Sequence, residues 1–182
     1  MINQEIIQRR CAPFVVDFPV FSGSYKVATF NKYLSSDVKR HLSCTISDKC
    51  VIGKNTEIGA NTLIVNSVIG DNCKIHDNVT IKDSIIWNGV TIKSGSSLEH
   101  NLVCNNVVIG EEAQLKPGVM LDHRVEVSSK AIIETNMIAS CYAIVTNDKG
   151  QASFKELSKP DEKYFERGVI CYLPLDMELK KY

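Results

Sequence analysis

The sequence lacks the signals that would steer a chain toward a disulfide framework, a metal ribbon, a membrane or nucleic acid. Its seven cysteines (Cys11, Cys44, Cys50, Cys73, Cys104, Cys141, Cys171) are an odd number and none lies in a CxxC pair, which argues against both a disulfide scaffold and a zinc ribbon. Such cysteines behave as small hydrophobes, so buried or half-buried thiols are expected. Lysine and arginine number 21 against 21 aspartates and glutamates, with a pI near 6.9, so a polyanion has no global electrostatic reason to bind. No apolar run approaches the ~18–20 residues of a membrane span, and Met1–Arg10 lack the apolar core of a secretion signal. A soluble, cytoplasmic protein is expected, with no direct contact to nucleic acid or membrane. Also missing are GxGxxG, a phosphate-binding GxxxxGK followed by serine or threonine, an HxxxH pair and a carboxylate pair placed by spacing. No catalytic residue, cofactor or metal ligand is assigned.

What the sequence has is a period. Aliphatics recur at Ile46, Ile52, Ile58 and Ile64, then Ile69, Ile75 and Ile81, then Ile86, Ile92 and Leu98, and on through Val103, Ile109, Leu115, Leu121, Val127 and Ile133. The steps are six with an occasional five, so each set of three closes in 17 or 18 residues. Two positions before each aliphatic is a second slot, which alternation along a strand turns to the same side. It holds Cys50, Thr56, Thr62, Ser67, Cys73, Val79, Ser84, Val90 and Ser96, and every later member except Asn101 is also small or β-branched. Glycines such as Gly53, Gly59, Gly70 and Gly110 follow the aliphatic, and Asn55, Asn61, Asn72 and Asn78 suit tight corners. This is the hexapeptide repeat of an all-β, single-stranded parallel β-helix with three short strands per coil. A helix would need a period near 3.6 and a sandwich would need hairpin turns.

The residue just before each aliphatic points outward, and on one face all of these are apolar: Val51, Val68, Ile85, Leu102 and Met120, with Met137 as a candidate continuation and Trp87 at the neighbouring turn. The other two faces carry Glu57, Lys74, Thr91, Val108 and Glu126, and Leu63, Thr80, Ser97, Gln114 and Ile132, and can meet water. A flat apolar stripe with an aromatic beside it predicts a protein interface. The competing reading is that the chain's own tail, which contains Tyr164, Phe165, Val169, Ile170 and Leu173, covers it.

Residues 1–44 and those after 145 do not keep the period. The first stretch reads as a connecting segment; residues 45–145 read as the β-helix, and 146–182 as a tail with a short helix between Pro160 and Gly168. A histidine at a coil edge serves as general base in hexapeptide acyltransferases. The candidates are His76, His100 and His123, each just after an inward position where a solvated turn residue is the favoured reading. Lys116 and Lys130 are likewise turn lysines that could meet an anion.

Three words are more specific than the period: Ile86-Trp87-Asn88-Gly89-Val90, Leu102-Val103-Cys104-Asn105-Asn106 and Leu115-Lys116-Pro117-Gly118. With them, residues 67–127 resemble the β-helix of the epsilon subunit of eukaryotic translation initiation factor 2B. Upstream, Ile6-Ile7-Gln8-Arg9-Arg10 and Ala12-Pro13-Phe14-Val15 are similar to the segment leaving that subunit's nucleotidyltransferase-like domain. The resemblance implies a left-handed helix and an excised, non-catalytic middle domain of the guanine-nucleotide exchange factor for the GTP-binding initiation factor 2. Its implied partners are the gamma and other subunits of factor 2B, and initiation factor 2 itself. The alternative is a hexapeptide acyltransferase or the C-terminal β-helix of a sugar-phosphate nucleotidyltransferase.

Overall fold

An aliphatic and a small residue turned inward every six positions leave the backbone one compact solution: a three-sided coil whose side chains fill its own axis. The computed structural model describes residues 25–28, 32–146, 152–156 and 163–170, and in it the chain winds as a left-handed parallel β-helix of about six turns. The first face stacks Lys32–Ser35, Val51–Ile52, Val68–Ile69, Ile85–Ile86, Leu102–Val103, Met120–Leu121 and Ile138–Ser140. The second stacks Lys39–Arg40, Glu57–Ile58, Lys74–Ile75, Thr91–Ile92, Val108–Ile109 and Glu126–Val127. Thr45–Ile46, Leu63–Val65, Thr80–Lys82, Ser97–Glu99, Gln114–Leu115 and Ile132–Ile133 make the third. All pairing between successive coils is parallel, in the register the period dictates: Ile52 opposite Ile69, Ile69 opposite Ile86, Ile86 opposite Val103.

Ile52, Ile64, Ile81, Ile92, Leu98 and Ile109 are fully buried, and so are the small slots between them. Threonine hydroxyls inside the coils are satisfied locally: Thr56 Oγ1 donates to the Gly70 carbonyl at 2.9 Å and Thr62 Oγ1 to that of His76 at 2.8 Å. Ser67 and Ser84 accept the amides of Ser84 and Asn101, one coil on. Asn101, the odd member of its column, closes this ladder by donating Nδ2 to the Lys116 carbonyl at 2.7 Å. These polar side chains inside the axis are therefore tolerated because each finds a backbone partner.

The corners separate two needs that the sequence runs together. The left-handed conformation falls two or three residues after the aliphatic, at Asn55, Asn61, Asn66, Asn72, Asn78, Asp83, His100 and Asn106 among others, and at Gly89, Gly95 and Gly118. Asparagine and glycine are the residues that adopt it at least cost. Gly53, Gly59, Gly70 and Gly110 are not left-handed; they lie where the next coil's backbone presses close.

Two expectations change at the ends. Lys32–Ser35 and Lys39–Arg40 already pair in parallel with the second coil, so the solenoid begins before residue 45. Local patterning hides this coil because, of its strands before residue 45, only the first-face one keeps an inward aliphatic, Leu34 opposite Ile52, while on the second face the exposed Arg40 stands opposite Ile58 where the column has an aliphatic. In the span where a helix is expected, residues 163–164 are a turn and Phe165–Arg167 a strand, while residues 157–162 lie outside the described residues. Phe165–Arg167 runs antiparallel to Glu126–Val127, and Val169–Ile170 antiparallel to Ile138–Ser140, so the tail crosses the last coil and Phe165 seals the end of the core. Closing an open coil edge satisfies its ladder groups, and tertiary pairing outweighs a weak local helix preference. A hairpin, Tyr142–Thr146 with Ala152–Glu156, leads into it. The expected features of residues 1–24 lie outside the described residues. Among the described residues no helix is long and apolar enough to cross a membrane.

Candidate interaction face and corner cluster

The outward residues of the first face stand in one continuous register: Val51, Val68, Ile85, Leu102, Met120 and then Ile138. At ~4.8 Å per coil they span about 24 Å. Val51, Val68, Ile85, Leu102 and Ile138 are half-buried, while Met120 is 41% exposed and Trp87, at the adjoining corner, 45%. Ile138, not Met137, extends the stripe, because the longer last coil shifts the strand by one residue and Met137 packs against the core. At the other end Tyr33, opposite Val51, is buried. The described part of the tail closes the end of the solenoid and its strands pair beyond Glu126 and Ile138, not across the stripe. A shallow groove beside the stripe is lined by Ile85, Leu102 and Met120 together with Asp83, His100 and Asn101.

The histidines do not converge. His76 sits at the corner after the second face, His100 at the corner after the third, and His123 at the corner after the first. His100 holds the left-handed turn position at φ 52°, with Nε2 3.9 Å from an Asp83 carboxylate oxygen. Lys116 and Lys130 are exposed at separate corners, and Lys130 too occupies a left-handed position.

The corner between the first and second faces is the chemically densest. Trp87, Cys104 and Asp122 follow the inward aliphatics Ile86, Val103 and Leu121 in successive coils, and so stack. His123 comes next and meets Trp87 edge to face, ring centres 6.1 Å apart. Asp122 is held at both oxygens: the His123 amide donates to Oδ1 at 2.7 Å and Ser140 Oγ to Oδ2 at 2.6 Å. Burial, reinforced by Asp122, pushes the half-buried Cys104 thiol up. The period could have revealed this meeting, since Cys104 and Asp122 lie one coil apart, but motif spacing within a single strand or loop cannot.

Among the described residues Cys44, Cys50, Cys73 and Cys141 are buried; Cys11 and Cys171 lie outside the described residues. Desolvation pushes Cys73 from its ordinary 9.0 up to about 11. The folded state thus favours the protonated thiol, so its contribution is intact below pH 9 and is lost as pH rises from 9 toward 11. Two pKa units correspond to roughly 2–3 kcal/mol. Cys73→Val, which suits a slot where Val79 and Val90 already fit, should remove that part of the decline. Thermal melts of both proteins from pH 8 to 11 check this; parallel curves would refute it.

Comparison with known proteins places this geometry. The family model described as the EIF2B subunit epsilon LbH domain matches residues 29–133, more than half of the chain. No curated protein matches it. Among solved structures, a hexapeptide transferase family protein from Anaplasma phagocytophilum is similar at 18% identity, covering 72% of this chain and 81% of that one with a TM-score of 0.59. A variant of GDP-perosamine N-acetyl transferase from Caulobacter crescentus, solved with CoA and GDP-perosamine, has 17% identity over 68% of this chain and 56% of its own, with a TM-score of 0.45. At such identity the Anaplasma likeness shows the fold alone.

Proposed function

The chain belongs to the family of the EIF2B subunit epsilon LbH domain, and from that premise we propose that it is a non-catalytic assembly module of EIF2B, the guanine-nucleotide exchange factor for the GTP-binding initiation factor 2, working in the cytoplasm. Its first face packs against another subunit of that complex, the β-helix-bearing gamma subunit. The single observation that carries this reading is the unbroken apolar register from Val51 to Ile138, flanked by Trp87. Contiguous apolar surface on a soluble solenoid has a free-energy reason to be covered, and aromatic and methionine side chains are the ones interfaces favour. No exchange chemistry is assigned to any residue of the chain, and contact with initiation factor 2 would pass through the assembled complex.

The test is the double change Ile85→Asp with Leu102→Lys. These residues face each other on adjacent strands, so the pair places opposite charges across the ladder and preserves the fold. Association with the gamma subunit should weaken at least 100-fold, as expected when central interface residues are replaced by charges, while circular dichroism and Tm stay close to those of the parent. Undiminished capture of gamma by the well-folded variant would sink the assignment of this face.

A further inference from the structure

We propose that Cys104, Asp122 and His123 form a binding site for a zinc-class divalent cation at the corner between the first and second faces. The three side chains come from two successive coils, and their Sγ, carboxylate oxygen and imidazole nitrogen all lie within 4.8 Å of one another. His123 Nε2 is 4.0 Å from Asp122 Oδ1. A tetrahedral zinc ion with bonds of about 2.0–2.3 Å holds its ligand atoms roughly 3.3–3.8 Å apart, so small side-chain rotations at a half-exposed corner close the set. The donor types select the metal: thiolate with imidazole suits zinc and its cobalt surrogate, whereas calcium and magnesium require oxygen ligands.

The surroundings resemble a built site more than a chance encounter. Ser140, itself buried, donates to Asp122 Oδ2, and the His123 amide donates to Oδ1, so the carboxylate is oriented by outer partners as metal-bound carboxylates are. Cys104 and Asp122 are fixed by their neighbours Val103 and Leu121, paired in the ladder, which sets the backbone spacing of two of the three ligands. Asp122 and His123 are 38% and 46% exposed at their side chains. Three protein ligands leave a fourth position open to water or to a donor from a partner. This inference stands apart from the role proposed for the first face.

The chain carries its own reporter. Trp87 is the sole tryptophan of the sequence, and its ring lies 6.1 Å from that of His123. Titrating the purified chain with Co²⁺ should quench Trp87 fluorescence with one equivalent bound, produce a thiolate-to-cobalt charge-transfer absorption, and be reversed by Zn²⁺. Cys104→Ser and His123→Gln should each raise the quenching midpoint at least tenfold, while His76→Gln leaves it unchanged. The metal-free emission spectrum of Trp87 verifies that the corner is intact in each variant, and Cys104→Ala replaces the serine variant if it is not. No quenching by millimolar Co²⁺, or a midpoint unmoved in either ligand variant, would overturn the site.

Discussion

Gly110→Val is expected to lower Tm by roughly 5–10 °C, a loss of about 2–4 kcal/mol. A Cβ at this position would stand 2.6 Å from the Ser128 carbonyl carbon and 2.5 Å from the Ser129 nitrogen. Those are backbone atoms of the next coil, and they cannot withdraw easily. The Gly110 amide donates to the Val127 carbonyl at 3.0 Å and its own carbonyl accepts Ser96 Oγ at 2.7 Å, so separating the coils breaks bonds on both sides of the residue. Gly95→Ala is the informative contrast. Gly95 is left-handed at φ +76° and a Cβ there would meet the Glu112 side chain at 3.2 Å, which costs about 1 kcal/mol of backbone strain and a side-chain adjustment. Differential scanning calorimetry of the two variants separates close coil stacking from corner geometry. Equal losses would mean that both glycines serve only the turn.

Ile86→Ala and Ile85→Ala, one residue apart, should have opposite consequences. Ile86 is 1% exposed and sits in the aliphatic column between Ile69 and Val103. Removing its side chain leaves a cavity that cannot collapse, because hydrogen-bonded coils above and below hold their spacing; about 3–4 kcal/mol of stability is lost. Ile85 is half-buried on the outer side of the same strand. Its truncation should cost about 1 kcal/mol or less in urea unfolding but weaken gamma-subunit binding about tenfold or more. If Ile85→Ala destabilises as much as Ile86→Ala while binding is unchanged, the outer face is structural and the proposed interface is wrong.

How far the sequence could be read follows from which forces are local. The inward aliphatics, the small slots, the outward apolar register and the asparagine corners were all legible, because a coil of 17 or 18 residues repeats the same local demands each time. Even Asn101 could be flagged as the exception, although its reason, the bond to the Lys116 carbonyl one coil on, could not. The role of Gly53, Gly59, Gly70 and Gly110 is not visible in the local sequence. They answer to the neighbouring coil and not to their own turn. The first coil escapes the period because Arg40 stands where the column of Ile58 needs an aliphatic, and only pairing with the next coil holds it in place. The strand at Phe165–Arg167 carries no local mark, because its partner, Glu126–Val127, lies nearly forty residues away.

The sequence by itself determined the solenoid, since alternation and period jointly leave an outward and an inward set with no freedom to exchange them: a slip of one residue would bury outward charges such as Glu57, Lys74 and Glu126 and expose inward aliphatics such as Ile58, Ile75 and Val127. It likewise determined the family, through words such as those around Trp87 and Pro117. Only the tertiary structure decided what closes the solenoid's last coil, where the stripe ends, and that Cys104, Asp122 and His123 meet. The physical reason is the same in each case. These features depend on distances between coils and on one antiparallel return of the chain, and such contacts are set by the packing of segments whose own sequences carry no mark of each other.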